Sequence, residues 1–234
     1  MKIGIIGAME VEVSMLKEKM TDVRKSHFAG MDFYEGVLEG VPVVVSRCGV
    51  GKVNAAMCVQ ALCDRFSVTH IINSGVAGSL SDELKILDVV VSRDAIYHDM
   101  DAVGFGYALG QVPGMDCVEF TADDTLIGYT FAAAESYNPG HTKIGRVASG
   151  DQFVCNSEQK QRIREQTQAL CTEMEGAAIA QACTKNGVPF VIIRAISDAA
   201  DETVSWDYFE GKAAECCSHV TCAVMKQLAE AEME

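Results

Sequence analysis

Apolar positions along this chain alternate between two periods, and the alternation predicts strands interleaved with helices. Short apolar runs at residues 2–7, 41–46, 70–73, 89–92, 143–148 and 190–196 read as strands, and those apolar on both faces suit a covered sheet. Residues 11–20, 52–66, 123–137 and 176–186 carry apolar side chains at helical spacing, as with Val53, Met57, Ala61 and Leu62 in the second of these. Asn156 with Gln159 forms a capping box that opens another helix, and a long helical pattern covers 205–232. Residues 33–38 and 41–46 flank Glu39-Gly40, the signature of a hairpin turn. A short strand leads into Glu173-Met174-Glu175, and Gly187-Val188-Pro189 stops the helix before residue 190. Residues 74–88 read as a glycine-containing loop. Residues 102–114, rich in Gly and aromatics, read as an ordered one.

No linker, charge block or internal repeat divides the pattern, so it predicts one α/β domain over residues 1–234 with a largely parallel sheet that also carries a hairpin. Ligands of such sheets gather at the carboxyl ends of the strands. That rule brings residues 9–12, 73–78, 150–154, 173–175 and 194–198 around one pocket, and these segments hold most of the polar residues the core pattern leaves unexplained.

Charge and cysteine content narrow the partners. A formal charge of -14 over 234 residues argues against a nucleic-acid or anionic-membrane surface and leaves few cations for a multiply phosphorylated ligand. A neutral or zwitterionic small molecule fits better. No apolar run approaches the roughly 20 residues that span a bilayer. The N-terminus opens directly into a strand rather than a secretion signal, so the ten cysteines read as free thiols of a reducing cytoplasm. Cys216, Cys217, His219 and Cys222 have the residue types of a metal site but point around much of a helix, and read as structural. Gly49-Val50-Gly51-Lys52 and Gly4-Ile5-Ile6-Gly7 lack the full spacing of phosphate or dinucleotide loops and read as turn and packing glycines.

Four motifs carry more. Ile5-Ile6-Gly7-Ala8-Met9-Glu10-Val11-Glu12, Ser149-Gly150-Asp151-Gln152-Phe153-Val154, Glu173-Met174-Glu175 and Arg194-Ala195-Ile196-Ser197-Asp198 together resemble the 5′-methylthioadenosine/S-adenosylhomocysteine nucleosidases, in order and over nearly the whole chain. The resemblance implies a three-layer phosphorylase-like fold, a mixed sheet flanked by helices, and hydrolysis of an adenine nucleoside without cofactor or metal. Cleaving C1′–N9 needs an acid for the departing purine and a second group for water on the other face of the ribose.

By resemblance, Asp198 is the acid, Glu12 activates water, and Arg194 orients Glu175 or the water. Glu175 accepts from the ribose hydroxyls and Met174 packs beside the sugar. Phe153 stacks on adenine and the Val154 backbone bonds the base edge, with Ser197 and Gly78 alongside. Met9 and Val50 line the 5′-alkylthio pocket. The resemblance also implies a homodimer in which Phe105 and Pro113 of one protomer complete the neighbour's site.

Residue by residue, each position also admits a plainer reading: Asp198 as a turn cap, Glu10 and Glu12 as helix-start acids, Glu175 and Arg194 as an ion pair. Phosphorylases of this fold typically carry an Arg where this chain has Asn73, just before Ser74-Gly75-Val76-Ala77-Gly78, which favours water over phosphate as nucleophile. Many family members have Ser at the position of Val76, so here that segment is left with its backbone. Gly176 and Gln152 also depart from commoner small residues. An aminofutalosine-type nucleosidase, a phosphorylase and a silent nucleoside-binding domain are the alternatives.

Overall fold

The computed structural model describes residues 1–201 and 209–231. Its strands are β1 (Ile3–Gly7), β2 (Thr21–Phe28), β3 (Met31–Leu38), β4 (Val41–Arg47), β5 (His70–Ser79), β6 (Val89–Tyr97), β7 (Phe120–Thr121), β8 (Thr142–Ser149), β9 (Cys171–Glu173) and β10 (Phe190–Asp198). Between them run the helices α1 (Glu10–Lys19), α2 (Lys52–Phe66), α3 (Asp124–Tyr137), α4 (Ser157–Thr167), α5 (Gly176–Asn186) and α6 (Glu210–Ala231). The start and end of the helix expected over 205–232 lie outside the described residues.

All the strands join one mixed sheet. Strand β10 pairs in parallel with β5 and antiparallel with β6, so β5, β10, β6, β8 and β9 close on one another. From β5 the sheet continues through β1, β4, β3 and β2. Every residue of β1 and β10 is buried, as their largely apolar runs favour, and in β10 the burial extends to Arg194, Ser197 and Asp198. The β3–β4 hairpin turns on Glu39 (φ 49°) and Gly40 (φ 87°), both left-handed as a tight hairpin demands. Helix α2 packs on α5, while α6 packs on α1 and α3. The described helices include none long and apolar enough to cross a membrane.

Two segments differ from expectation. Strand β2 has no apolar alternation because it is an edge: residues 21–27 are exposed, and Arg24 and Lys25 keep that edge polar. The glycine-containing stretch expected to be a loop from residue 74 continues β5 to Ser79, pairing with β10 as far as Gly78 and with β9 at Gly78 and Ser79. The capping box at α4 forms by half. Asn156 Oδ1 accepts from the Gln159 N–H at 2.8 Å, but the Gln159 side chain turns to Gln152 Oε1 at 2.7 Å. Cys216, Cys217 and Cys222 are buried, and the His219 ring stacks on Tyr137 with centroids 5.3 Å apart.

Candidate active site

A cavity of about 390 Å³ opens where β1, β5, β9 and β10 end. Met9 and Glu12 reach it from the start of α1, and Val50 from the turn before α2. Val76, Ala77 and Gly78 line it from β5. Glu173, Met174 and Glu175 line it from the β9–α5 junction, and Ser197 and Asp198 from the end of β10. Phe153 stands half-exposed at its mouth. Val154, buried, lines an adjoining recess of about 40 Å³ together with Phe153 and Asp198.

Glu12 is fixed by backbone donors. Its Oε2 accepts from the N–H groups of Ala8 (2.7 Å) and Met9 (2.9 Å), and its Oε1 from the N–H of Val76 (2.9 Å). The contribution expected from the Val76 backbone is therefore a bond to the carboxylate itself. Burial pushes the Glu12 carboxyl above its ordinary range, while Arg194 and the three N–H donors hold the rise back. A raised affinity for protons is what a base near neutral pH needs.

Arg194 lies beneath the cavity rather than in its lining. It is 2% exposed, within the otherwise apolar run 190–196 of β10. One of its terminal nitrogens donates to Asn73 Oδ1 at 2.6 Å and to Glu173 Oε2. Asn73 in turn donates to the Ile6 carbonyl at 3.0 Å, so its side chain is spent inside the sheet. Burial opposes the charge on Arg194, but Glu173, Glu12 and Glu175 outweigh it and raise the group's proton affinity.

The carboxylate paired with Arg194 is thus Glu173. Glu173 also accepts from Ser149 Oγ and from the N–H groups of Glu175 (3.1 Å) and Gly176 (2.8 Å), which ties β8, β10 and the start of α5 to one side chain. A Cβ on Gly176 would stand 2.9 Å from Ile192 Cδ1 and 3.0 Å from Glu173 Oε1, which accounts for glycine there.

Glu175 is left free to face the cavity. Its Oε1 accepts from the Gly51 N–H at 2.8 Å, at the N-terminus of α2, and the next N–H, of Lys52, donates to Asp151 at 2.8 Å. The helix start that resembled part of a phosphate loop is therefore occupied by two carboxylates. Burial, with Glu173 beside it, pushes the Glu175 carboxyl up to about 8.

Asp198 owes its direction to a β-bulge. Ile196 pairs with Ala77 and Asp198 with Gly78, so Ser197 is an extra residue in the ladder. Consecutive residues of a regular strand face opposite sides, yet Ser197 and Asp198 both line the cavity. Asp198 Oδ2 accepts from Ser197 Oγ and Oδ1 from the Ala200 N–H, both at 2.8 Å. A Cβ on Gly78 would come within 2.8 Å of Asp198 Oδ1.

The family description "Phosphorylase superfamily" matches residues 2–226. A 5′-methylthioadenosine/S-adenosylhomocysteine nucleosidase of Staphylococcus haemolyticus is 42% identical over 97% of this chain and 100% of its own length. This chain belongs to that nucleosidase family. The Neisseria meningitidis nucleosidase bound to methylthio-immucillin-A superposes with a TM-score of 0.93 at 39% identity, covering 97% of this chain and 99% of that one. A futalosine hydrolase of Helicobacter pylori superposes at 0.91 with 33% identity, covering 97% of each chain.

Against this family background, Phe105, 87% exposed, and Pro113, also exposed, lie outside the cavity of their own protomer. Ala8, Ala77, Thr172 and Glu173 line the cavity without having been given a role from the sequence, and Val76, noted there only as a departure, lines it too. The signal for Glu173 was its place in the Glu-Met-Glu motif, two residues before Glu175.

Proposed function

We propose that this chain hydrolyses the C1′–N9 bond of 5′-methylthioadenosine and S-adenosylhomocysteine, releasing adenine and a 5′-thio-substituted ribose. The observation that carries the reading is the pair of buried carboxyl groups, Glu12 and Asp198, brought to one cavity from the start of α1 and the end of β10 while the nearby Arg194 is engaged by Asn73 and Glu173. Asp198 donates a proton to the departing purine, at N7. Glu12, with its raised proton affinity, takes the proton of the attacking water. Glu175 receives the ribose hydroxyls and Met174 packs on the sugar. Phe153 stacks on adenine, the Val154 backbone bonds its edge, and Met9 and Val50 receive the 5′-thio group.

The electrostatics agree with that sequence of events. Glu173, Glu12 and Glu175 act on the single guanidinium of Arg194, and Asp198 lines the same cavity, so the one cation at hand is already engaged by acidic groups, which disfavours phosphate as nucleophile. The test is adenine release from methylthioadenosine, S-adenosylhomocysteine, 5′-deoxyadenosine and aminofutalosine, each with and without phosphate. Phosphate-independent release with a free sugar is expected; a ribose 1-phosphate product overturns the hydrolytic reading. The aminofutalosine arm is included because the futalosine hydrolase superposes nearly as well.

The same reading includes a homodimer, with Phe105 and Pro113 completing the neighbouring site. Support comes from exposed apolar side chains on α2 (Val53 and Met57) and near the 103–105 turn (Val103 and Phe105), which a second protomer would cover. A fully active monomer in analytical ultracentrifugation would remove this element. Ten free thiols, most of them buried, support a reducing, cytoplasmic location.

A further inference from the structure

Helix α4 is outside the family motifs, yet it grips both segments that face the adenine. Gln159 Nε2 donates to Gln152 Oε1 at 2.7 Å, next to Phe153. One residue on, Lys160 Nζ donates to the Ala199 carbonyl at 2.7 Å and lies 3.6 Å from Asp201 Oδ2. One turn further, Ile163 is buried in a small cluster that also contains Val154 and Ala200. Successive contacts of one helix thus reach the base-facing segment and the turn that carries Asp198.

That turn needs a clamp. Ala200 has φ 54°, a left-handed conformation that a side chain disfavours, and its N–H is the donor to Asp198 Oδ1 at 2.8 Å. The Ala199 carbonyl that Lys160 holds and the Ala200 N–H that donates to Asp198 belong to one peptide unit, so a turn of that unit would swing the N–H away and release the carboxyl group. Gly78 makes room for this turn, since a Cβ there would stand only 2.9 Å from the Ala200 Cβ. The Lys160 ammonium holds the carbonyl on one side of Ala200 and faces the carboxylate on the other, and its side chain is 17% exposed. A contact that shielded is screened less than an ordinary surface pair.

We infer that Lys160 is a positioning residue for the acid: through Ala199 and Asp201 it holds the strained turn that aims Asp198 at the leaving group. The inference rests on the reading of Asp198 as general acid, and the test separates the two. Lys160→Met and Lys160→Gln, which remove the charge but keep much of the stem, are assayed beside Lys160→Arg and Asp198→Asn. Two substrates are used: methylthioadenosine, whose purine needs a proton to leave, and a 4-nitrophenyl 5-methylthioriboside, whose phenolate leaves without one.

On methylthioadenosine, Lys160→Met and Lys160→Gln lower kcat about ten- to a hundredfold, the scale of a misplaced catalytic group, with KM changed by less than about threefold and Lys160→Arg restoring most of the rate. On the nitrophenyl riboside both variants keep most of the wild-type rate, and so does Asp198→Asn. Equal losses on the two substrates, or no loss on either, overturn the role of Lys160. An Asp198→Asn protein that cleaves methylthioadenosine normally, or loses both substrates equally, instead overturns the acid reading on which it rests.

Discussion

Gly75 faces the Glu12 carboxylate directly. A Cβ added to Gly75 would stand 2.9 Å from Glu12 Cδ and 2.7 Å from Arg194 Nη1, and Gly75 is also the ladder partner of Arg194. Glycine in the middle of a strand ordinarily weakens it and often marks a close approach. Here it lets the carboxylate and the guanidinium lie against the β5 backbone. Gly75→Ala should therefore push Glu12 from its three N–H donors, lowering kcat by about 10²-fold and stability by about 1–3 kcal/mol. Steady-state kinetics and urea unfolding check both, and a variant with normal turnover would show that Glu12 need not sit against β5.

The ion pair between Arg194 and Glu173 sets a second expectation. Both side chains are almost wholly buried, at 2% and 4% exposure. Removing one member of such a pair leaves an uncompensated buried charge, at about 3–5 kcal/mol. Glu173→Ala should cost that much in urea unfolding and should also loosen the start of α5, whose Gly176 N–H it receives. Glu175→Ala, which leaves the pair intact, should cost markedly less. Equal losses in the two variants would mean that the pair is not what distinguishes these neighbours.

The contrast between Glu173 and Glu175 also shows where the sequence stops being informative. Strand β10 was legible over 190–196 because six of those seven residues are apolar, and the hairpin because Glu39-Gly40 suits its turn. The site's location followed from the strand ends, and its residues from motifs. Hydrogen-bond partners did not follow. Two glutamates in Glu173-Met174-Glu175 are equally fit to pair with Arg194, and strand alternation cannot separate residues two apart; what decides is that the chain leaves β9 at Glu173, so that Glu175 already caps α5. Residues 75–78 read as a loop because glycines are common in loops, whereas here they clear space for Glu12, Arg194 and Asp198. Strand β2 carries no core face and so no periodic signal. The bulge at Ser197 is a property of two paired strands, and no single segment encodes it.

Stability should depend on pH through Glu175. Its folded pKa, about 8, lies above the ordinary 4.5, so the folded state holds a proton that the unfolded chain releases. The stabilisation is complete below about 4.5 and is lost as pH rises through about 8. Glu12, also raised by burial, acts in the same direction. His98 acts in the opposite one: burial lowers its proton affinity, so its contribution is present above about 6.5 and lost as pH falls. The wild-type curve mixes these effects, and the difference from Glu175→Gln isolates one of them. Between pH 5 and pH 9 the thermal midpoint of wild type should fall relative to that of Glu175→Gln; a constant difference would contradict the assignment.

Glu10 and Glu12 provide the last comparison, two acids in the same first turn of α1 with different surroundings. Glu10 is exposed and pairs with Lys17, with Arg47 Nε 4.0 Å away. Glu12 is 4% exposed, faces the cavity and receives three backbone N–H groups. A glutamine at position 10 loses only a surface pair, so Glu10→Gln should change stability by no more than about 0.5 kcal/mol and leave kcat within about twofold. A glutamine at position 12 keeps the shape but cannot take a proton from water. Glu12→Gln should remain folded, because burial already disfavours the charge that the amide lacks. Its kcat for methylthioadenosine should fall by about 10²–10⁴-fold, the usual share of a general base. Adenine release by the two purified variants, with circular dichroism to confirm folding, decides the matter. Matching activities would remove Glu12 from the role of base and leave it as a structural tie between α1 and β5.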